Sequence, residues 1–163
     1  MNQKSEENTV QVLSVFQIAD YFINRSKSNK LSINHTKIQK LCYISQGFTL
    51  ALLNNFLFYE EIQAWKYGPV IPTLYEKLKN YKNQEITNPI LPEPEEITNT
   101  NITQILDFVF KRYSTFTAGQ LTSLTHEKDT PWYEVWNKEE WSTIPPQLIQ
   151  NYYQSKYIES LKI

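Results

Sequence analysis

The stretch from Asn34 to Leu53 constrains the fold of this chain more than any other part of the sequence. At helical spacing, one face of it carries apolar or small residues, namely Ile38, Leu41, Cys42, Ser45, Phe48 and Leu52. The other faces are largely apolar too, through Ile44, Leu50, Ala51 and Leu53. A helix that is apolar nearly all round has to be covered on every side, so this stretch predicts a central, buried helix. Its longest apolar run, 41–53, falls well short of the roughly 20 residues that span a bilayer, and we expect no membrane partner.

Amphipathic segments on both sides of this stretch predict further helices packed around it. Apolar residues recur at helical spacing over 12–23, 71–81, 105–113, 118–124, 132–136 and 148–153. Helix-start signals accompany most of them, namely Pro72, capping boxes at Asn101–Gln104 and Thr117–Gln120, the run Asp129-Thr130-Pro131, and Pro145-Pro146. Only Phe56–Phe58 and Ile62–Lys66 resemble strands, and they predict at most a small ribbon near Phe56 to Trp65.

The expected fold is therefore mostly α, a compact single-domain helical bundle of about six or seven helices with at most a short two-stranded ribbon. We expect residues 1–10 to form a flexible leader and 11–163 to form the domain. Between the third and fourth helices, the proline-containing stretch 82–100 predicts a long surface loop.

Composition narrows the functional class. With 40% apolar and 20% charged residues, the 163-residue chain has a globular composition. A single cysteine and a polar N-terminus without a signal-peptide core favour a reducing, cytoplasmic location. A net charge of −1 makes nucleic acid an improbable partner, and the lysines at 77, 79 and 82 fit an ordinary solvated helix face better than a phosphate-binding patch.

No pattern in the sequence predicts a catalytic centre or a cofactor. The two histidines and Cys42 are too far apart in sequence for a zinc motif, and three glycines leave no phosphate-binding loop. Cys42 lies on the core stripe and is expected to be a packed thiol. His126 is the sharpest single candidate, and we expect it to satisfy a helix C-terminus, with Asp129 or Thr130 capping the next helix before Pro131. A catalytic His126–Asp129 pair or a partner contact remain as alternatives.

Three blocks in the chain resemble one known family. They are TKIQKLCYISQG at 36–47, EIQAWKYGPVIPTLY at 61–75 and LTSLTHEKDTPW at 121–132. Together, and in this order, they resemble the Panacea antitoxin domain, also described as SocA-like or GepA-like and phage-associated. The residues of these blocks that we expect to act as structural motif positions are Gln39, Lys40, Tyr43, Gln46, Gly47, Gly68, Pro69, His126, Asp129 and Pro131.

The resemblance implies a bacterial or phage-borne antitoxin that neutralises a toxin encoded nearby by direct protein–protein binding. It implies a mostly helical domain with neither a catalytic centre nor a cofactor, and partners that vary while the domain persists. The alternative is a phage-associated interaction module or a protease adaptor that delivers a client protein, in which case a protease would be a further partner.

Aromatic residues in the second and third blocks are the candidates for partner binding, because interfaces depend on a few aromatic anchors. With the lysine between two of them, the candidates are Trp65, Lys66, Tyr67, Trp132, Tyr133 and Trp136. The competing interpretation is that these rings stabilise the fold. We expect Trp65 to point inward and Tyr67 to be the surface anchor, in a turn made rigid by Gly68-Pro69.

Overall fold

A computed structural model describes residues 12–93 and 95–159, and the central element is the helix α2, His35–Leu53. Asn34 caps its start by accepting the backbone N–H of Lys37 at 3.0 Å, and Asn54 ends it in the left-handed conformation, with φ of 52°. Fourteen of its 19 residues are buried. The predicted central, buried helix is therefore confirmed.

Six further α-helices surround α2 in the described part of the chain. They are α1 Val15–Ser28, α3 Pro72–Leu78, α4 Thr100–Tyr113, α5 Ala118–His126, α6 Pro131–Lys138 and α7 Pro146–Tyr153. A 3₁₀ turn, Lys79–Tyr81, extends α3, and a π-helical turn, Gln154–Ile158, extends α7. Helices α1, α3, α4, α5 and α7 all pack on α2. The mostly α, compact bundle of about six or seven helices is confirmed.

Helix caps explain where several of these elements begin. Thr117 and Gln120 form the capping box predicted for α5, and Ser14 with Gln17 forms another at α1. The box predicted at Asn101–Gln104 is wrong. Asn99 caps α4 instead, since its side-chain oxygen accepts the N–H groups of residues 101 and 102 at 3.0 and 3.2 Å, and the helix starts earlier.

The ribbon lies slightly later in the chain than predicted. Strand β1, Gln63–Trp65, pairs antiparallel with β2, Gly68–Val70, and the segment around Ser142 extends the other edge of β1 through backbone bonds of 2.9 Å to Ala64. The run at 56–58 forms no strand, because the side-chain amide of Gln46 on α2 takes up the N–H of Leu57 and the carbonyl oxygen of Phe58. The predicted pairing between 56–58 and 62–66 is therefore wrong, while the expectation of one short ribbon is confirmed.

The stretch after α3 runs over α1 as the predicted loop. Asp20 of α1 holds it by accepting the backbone N–H groups of Ile90 and Leu91 at 2.6 and 3.1 Å. The expected leader, 1–10, lies outside the described residues, as does Pro94. Within 12–93 and 95–159, no helix combines the length and apolar character needed to cross a membrane.

Candidate partner-binding site

Gln39 and Lys40, on the first turns of α2, bind the backbone of strand β2 and of the residue that follows it. The Gln39 amide donates to the carbonyl oxygen of Ile71 at 3.1 Å and accepts its N–H at 2.9 Å. The Lys40 Nζ donates to the carbonyl oxygen of Pro69 at 2.9 Å. These two motif residues therefore fix the position of β2 against the N-terminal end of α2.

Gly68 is required where this contact is made. Its φ of 114° is a conformation that other residues rarely adopt, and a Cβ there would lie 2.9 Å from the Lys40 Nζ. The next residue, Pro69, is buried and supplies the carbonyl that Lys40 binds. Gly68 and Pro69 thus allow β2 to approach α2 closely enough for the lysine to reach the backbone.

Lys40 is an unusual residue to bury at such a contact. It is only 3% exposed, and within the described ranges its ammonium has no acidic side chain in ion-pair range. Burial lowers the pKa of Lys40 to about 7, because the charged form is poorly solvated there. The Lys40 Nζ has one carbonyl as its hydrogen-bond acceptor among the described residues.

Gln46, Gly47 and Tyr43 act further along α2 in the interior. The Gln46 amide donates to the carbonyl oxygen of Phe58 at 2.7 Å and accepts the N–H of Leu57 at 2.8 Å. Gly47 leaves room for the Tyr153 ring, which a Cβ would overlap. Tyr43 is buried and meets the same ring edge-on, with centroids 6.2 Å apart. These motif positions are part of the core.

The third block forms the junction between α5 and α6. His126 Nδ1 lies 2.5 Å from the carbonyl oxygen of Thr122, so an Nδ1–H there donates to the last turn of α5. Thr130 caps α6 by accepting the N–H of Tyr133 at 3.2 Å, and Pro131 is the first residue of that helix. Asp129 is exposed in the left-handed region, with φ of 68°. No hydrogen bond joins it to His126 among the described residues, so the arrangement fits the predicted helix-end role.

All four tryptophans of the sequence form one continuous chain of ring contacts. Trp132 stacks on Trp136 at 5.6 Å between centroids, Trp136 meets Trp141 at 5.5 Å, and Trp141 meets Trp65 at 5.8 Å. Beyond them, Tyr75 packs on Trp65 at 4.9 Å and the His126 ring packs on Trp132 at 5.3 Å. This chain joins β1, α3, α5, α6 and the segment after α6.

The six predicted partner-binding residues differ in exposure. Tyr67 is 68% exposed with the Lys66 ammonium 5.5 Å from its ring centroid, and Tyr133 is also exposed. Trp65 and Trp136 are half-buried, so Trp65 points inward only in part. Trp132 is 7% exposed, and its Nε1–H donates to the Trp65 carbonyl oxygen at 2.6 Å. The Trp132 ring is thus largely covered by its own chain, and its role in partner binding stays a prediction.

Trp141 is a candidate that sequence reasoning missed. It is 54% exposed, it joins Trp65 to Trp136, and its φ is 65°. A bulky residue in the left-handed region costs about 1–2 kcal/mol, and its N–H is held by the Ala64 carbonyl oxygen at 2.9 Å. The available signal was a tryptophan directly after the charged run at 138–140. We call the surface formed by Trp65, Tyr67, Trp136 and Trp141 the tryptophan face.

A cavity of about 290 Å³ opens beside the tryptophan face. Its exposed rim includes Lys66, Tyr67 and Trp141, and the buried residues that line it include His35, Gln39 and Lys40. The described residues contain no group of three or more histidines, cysteines, aspartates or glutamates that could hold a metal ion, at this cavity or elsewhere. What the arrangement offers is a rigid aromatic surface around a mostly apolar recess that contains a few polar side chains.

Comparison with known proteins identifies the family. The model of the antitoxin SocA-like Panacea domain matches residues 38–133, which include most of the first block and all of the second and third. The chain belongs to this family. Antitoxin SocA of Caulobacter vibrioides (strain NA1000 / CB15N) is 25% identical to it over 134 residues, covering 74% of this chain and 69% of that protein. No solved structure matches the chain.

Proposed function

We propose that this protein is an antitoxin that neutralises a toxin encoded nearby by binding it directly through the tryptophan face. The observation that carries the proposal is the gathering of all four tryptophans into one ring chain, of which Trp65 and Trp132 lie within the residues that the family model matches. Family membership supports the antitoxin role, and the curated relative is named as an antitoxin.

The tryptophan face has the physical properties of a binding hot spot. Tryptophan and tyrosine are enriched among the few interface residues that dominate affinity, and they act best when their neighbours hold them rigid. Trp65 and Trp141 are fixed by ring contacts on both sides and by backbone bonds to the ribbon. Because these rings are ordered before binding, docking a partner on them loses little conformational entropy.

This function is binding rather than catalysis, and it requires no cofactor. We propose that it is exercised in the cytoplasm, the location favoured by the single, buried cysteine. The alternative, delivery of a client protein to a protease, would be recognised by degradation of the client without any toxicity to relieve.

The experiment that tests the proposal is co-expression with the product of the adjacent gene. We expect that product to arrest growth alone, the wild-type chain to restore growth, and a pull-down to recover both proteins. Substitutions Trp141→Gly and Trp141→Ala should both abolish the rescue and weaken binding at least about thirtyfold, equal to roughly 2 kcal/mol.

The two Trp141 variants control for folding. Glycine tolerates the left-handed conformation and alanine does not, so Trp141→Gly should be more stable than Trp141→Ala by about 1 kcal/mol. Both variants lack the ring, so they should bind equally weakly if the ring is the contact. If Trp141→Gly binds more tightly than Trp141→Ala, in line with its higher stability, the tryptophan face is not the binding surface. Growth rescue by both variants would contradict the proposal.

A further inference from the structure

We propose that the cavity beside the tryptophan face, here the Lys40 cavity, is a binding site for a carboxylate group. Six of its lining residues matter here, namely His35, Gln39, Lys40, Trp65, Tyr67 and Trp141. The assignment of this carboxylate to an acidic side chain of the toxin rests on the proposed function. The chemistry of the cavity itself does not.

The first argument is the unsatisfied charge of Lys40. A lysine ammonium has three N–H donors, and the described residues supply one hydrogen-bond acceptor, the Pro69 carbonyl oxygen at 2.9 Å. A buried charge is costly unless a counter-charge and further hydrogen bonds accompany it. The closure of the ribbon against α2 does not explain the cation, because a neutral amide such as that of Gln39 performs the same task next to it. A carboxylate in the cavity would supply the missing counter-charge.

The second argument is an unpartnered nitrogen in the same cavity. His35 is 8% exposed, and its buried Nε2 has no hydrogen-bond partner among the described residues. Its ring packs against Tyr75 at 5.2 Å, so the imidazole is fixed in orientation. Burial and the nearby Lys40 charge lower the pKa of His35 to about 4, which keeps the ring neutral near pH 7. In its Nε2–H form, this ring would give a second donor to an anion that reached the buried nitrogen, without adding charge.

The remaining lining residues select for the sign and size of the ligand. Among the described residues, none that lines the cavity is acidic, and the other titratable groups there are Lys66, Tyr67 and Tyr75, with His126 next to Gly68. The positive end of the α2 dipole adds a modest preference for an anion. No arginine lines the cavity, so the forked donors that suit a phosphate are missing. At about 290 Å³ the recess suits one side chain or a small acid with a flat apolar body.

Benzoate tests this directly, with benzamide as the neutral control of the same shape. The protein is labelled with ¹³C at lysine Cε, and Lys40 is identified as the signal that titrates near pH 7 and is absent from Lys40→Met. We expect saturable binding on the order of millimolar, and we expect benzoate to raise the Lys40 titration midpoint by at least about one pH unit. Benzamide should leave the midpoint unchanged, and Lys77→Met, which removes an exposed lysine that does not line the cavity, should keep the benzoate response.

An unchanged midpoint with benzoate, or an equal shift with benzamide, would overturn the proposal. Both results are read on the wild-type protein, and if Lys40→Met fails to fold, Lys40→Arg, which also lacks the labelled lysine carbon at this position, assigns the signal.

A competition experiment separates the two sources of the carboxylate. If benzoate weakens toxin binding to the wild type but not to Lys40→Met, the toxin supplies the carboxylate. If benzoate moves the midpoint and leaves toxin affinity unchanged, the site takes a small free acid. If the toxin does not bind the protein at all, the proposed function fails, while the midpoint shift still decides whether a carboxylate site exists.

Discussion

The two ends of the central helix hold neighbouring chain segments in different ways. In its C-terminal half, here the Gln46 end, the neutral amide of Gln46 accepts the N–H of Leu57 and donates to the carbonyl oxygen of Phe58. In its N-terminal half, here the Lys40 end, the amide of Gln39 binds the backbone of Ile71 in the same way. Lys40 lies next to it as a buried amine with one carbonyl acceptor, beside an open cavity. The Gln46 amide therefore has a hydrogen-bond partner for both its oxygen and its nitrogen, whereas the Lys40 ammonium has one acceptor for its three N–H donors among the described residues.

The difference indicates which part of the family motif serves the fold and which part is available for a partner. A residue that only closes a structure is best neutral and fully hydrogen-bonded, because an incompletely paired buried charge lowers stability. The Lys40 end departs from this rule, and it is also where Trp65, Tyr67 and Trp141 are gathered. We infer that the Gln46 end serves the fold and that the Lys40 end serves binding.

The largest effect is expected at the Gln46 end. Gln46→Leu leaves the N–H of residue 57 and the carbonyl of residue 58 buried without partners, and should lower the free energy of unfolding by about 2–4 kcal/mol. Urea denaturation measures this. Gln150→Leu is the control, since Gln150 also donates to a backbone carbonyl of α2 but is only half-buried, and water can replace it. Equal losses in the two variants would contradict the structural role of Gln46.

At the Lys40 end, His35 should make stability depend on acid. Its folded pKa of about 4 lies below the ordinary 6.5, so the unfolded chain takes up a proton first as the pH falls. This contribution is fully present above pH 6.5 and is lost between pH 6.5 and 4, to a total of up to roughly 3 kcal/mol. His35→Phe should show a shallower decline over that range in thermal melts. A decline identical to that of the wild type would show that His35 is not held neutral.

Lys40 should make stability depend on pH above neutrality, with a smaller change in the free energy of unfolding than His35 causes in acid. Its folded pKa of about 7 lies below the ordinary 10.5, so the charged form is penalised in the folded state at and below pH 7. As the pH rises from 7 to 9 about half of this penalty is relieved, and the wild type should gain roughly 2 kcal/mol relative to Lys40→Met. Parallel melting curves for the two proteins over this range would contradict the burial of an unpaired cation.

The fold could be predicted from the sequence where local patterns dominate. The apolar periodicity of α2, the Thr117 capping box and the proline at the start of α6 all act through neighbouring residues, and each prediction was confirmed. The strand pairing failed because a long-range bond from Gln46 removes 56–58 from the ribbon.

The candidate site was only partly predictable for the same reason. Tyr67 lies exposed as expected, but the burial of Trp132 and the recruitment of Trp141 depend on how α6 and the segment after it pack against β1. No spacing in the sequence shows that Lys40 and His35 line one cavity with a turn some 30 residues away. Such proximity follows from tertiary packing, which a single sequence does not display.

The most direct test of the central claim compares two tyrosines of nearly equal exposure. Tyr67, 68% exposed, lies on the tryptophan face, and Tyr59, 70% exposed, follows the chain segment that Gln46 holds. Both alanine variants should melt within about 1 °C of the wild type, because neither removes buried surface. In calorimetric titration with the toxin, Tyr67→Ala should bind at least about tenfold more weakly, equal to about 1.4 kcal/mol, and Tyr59→Ala should bind like the wild type. Unchanged affinity for Tyr67→Ala together with weakened binding for Tyr59→Ala would move the interface to the Gln46 end and contradict the account.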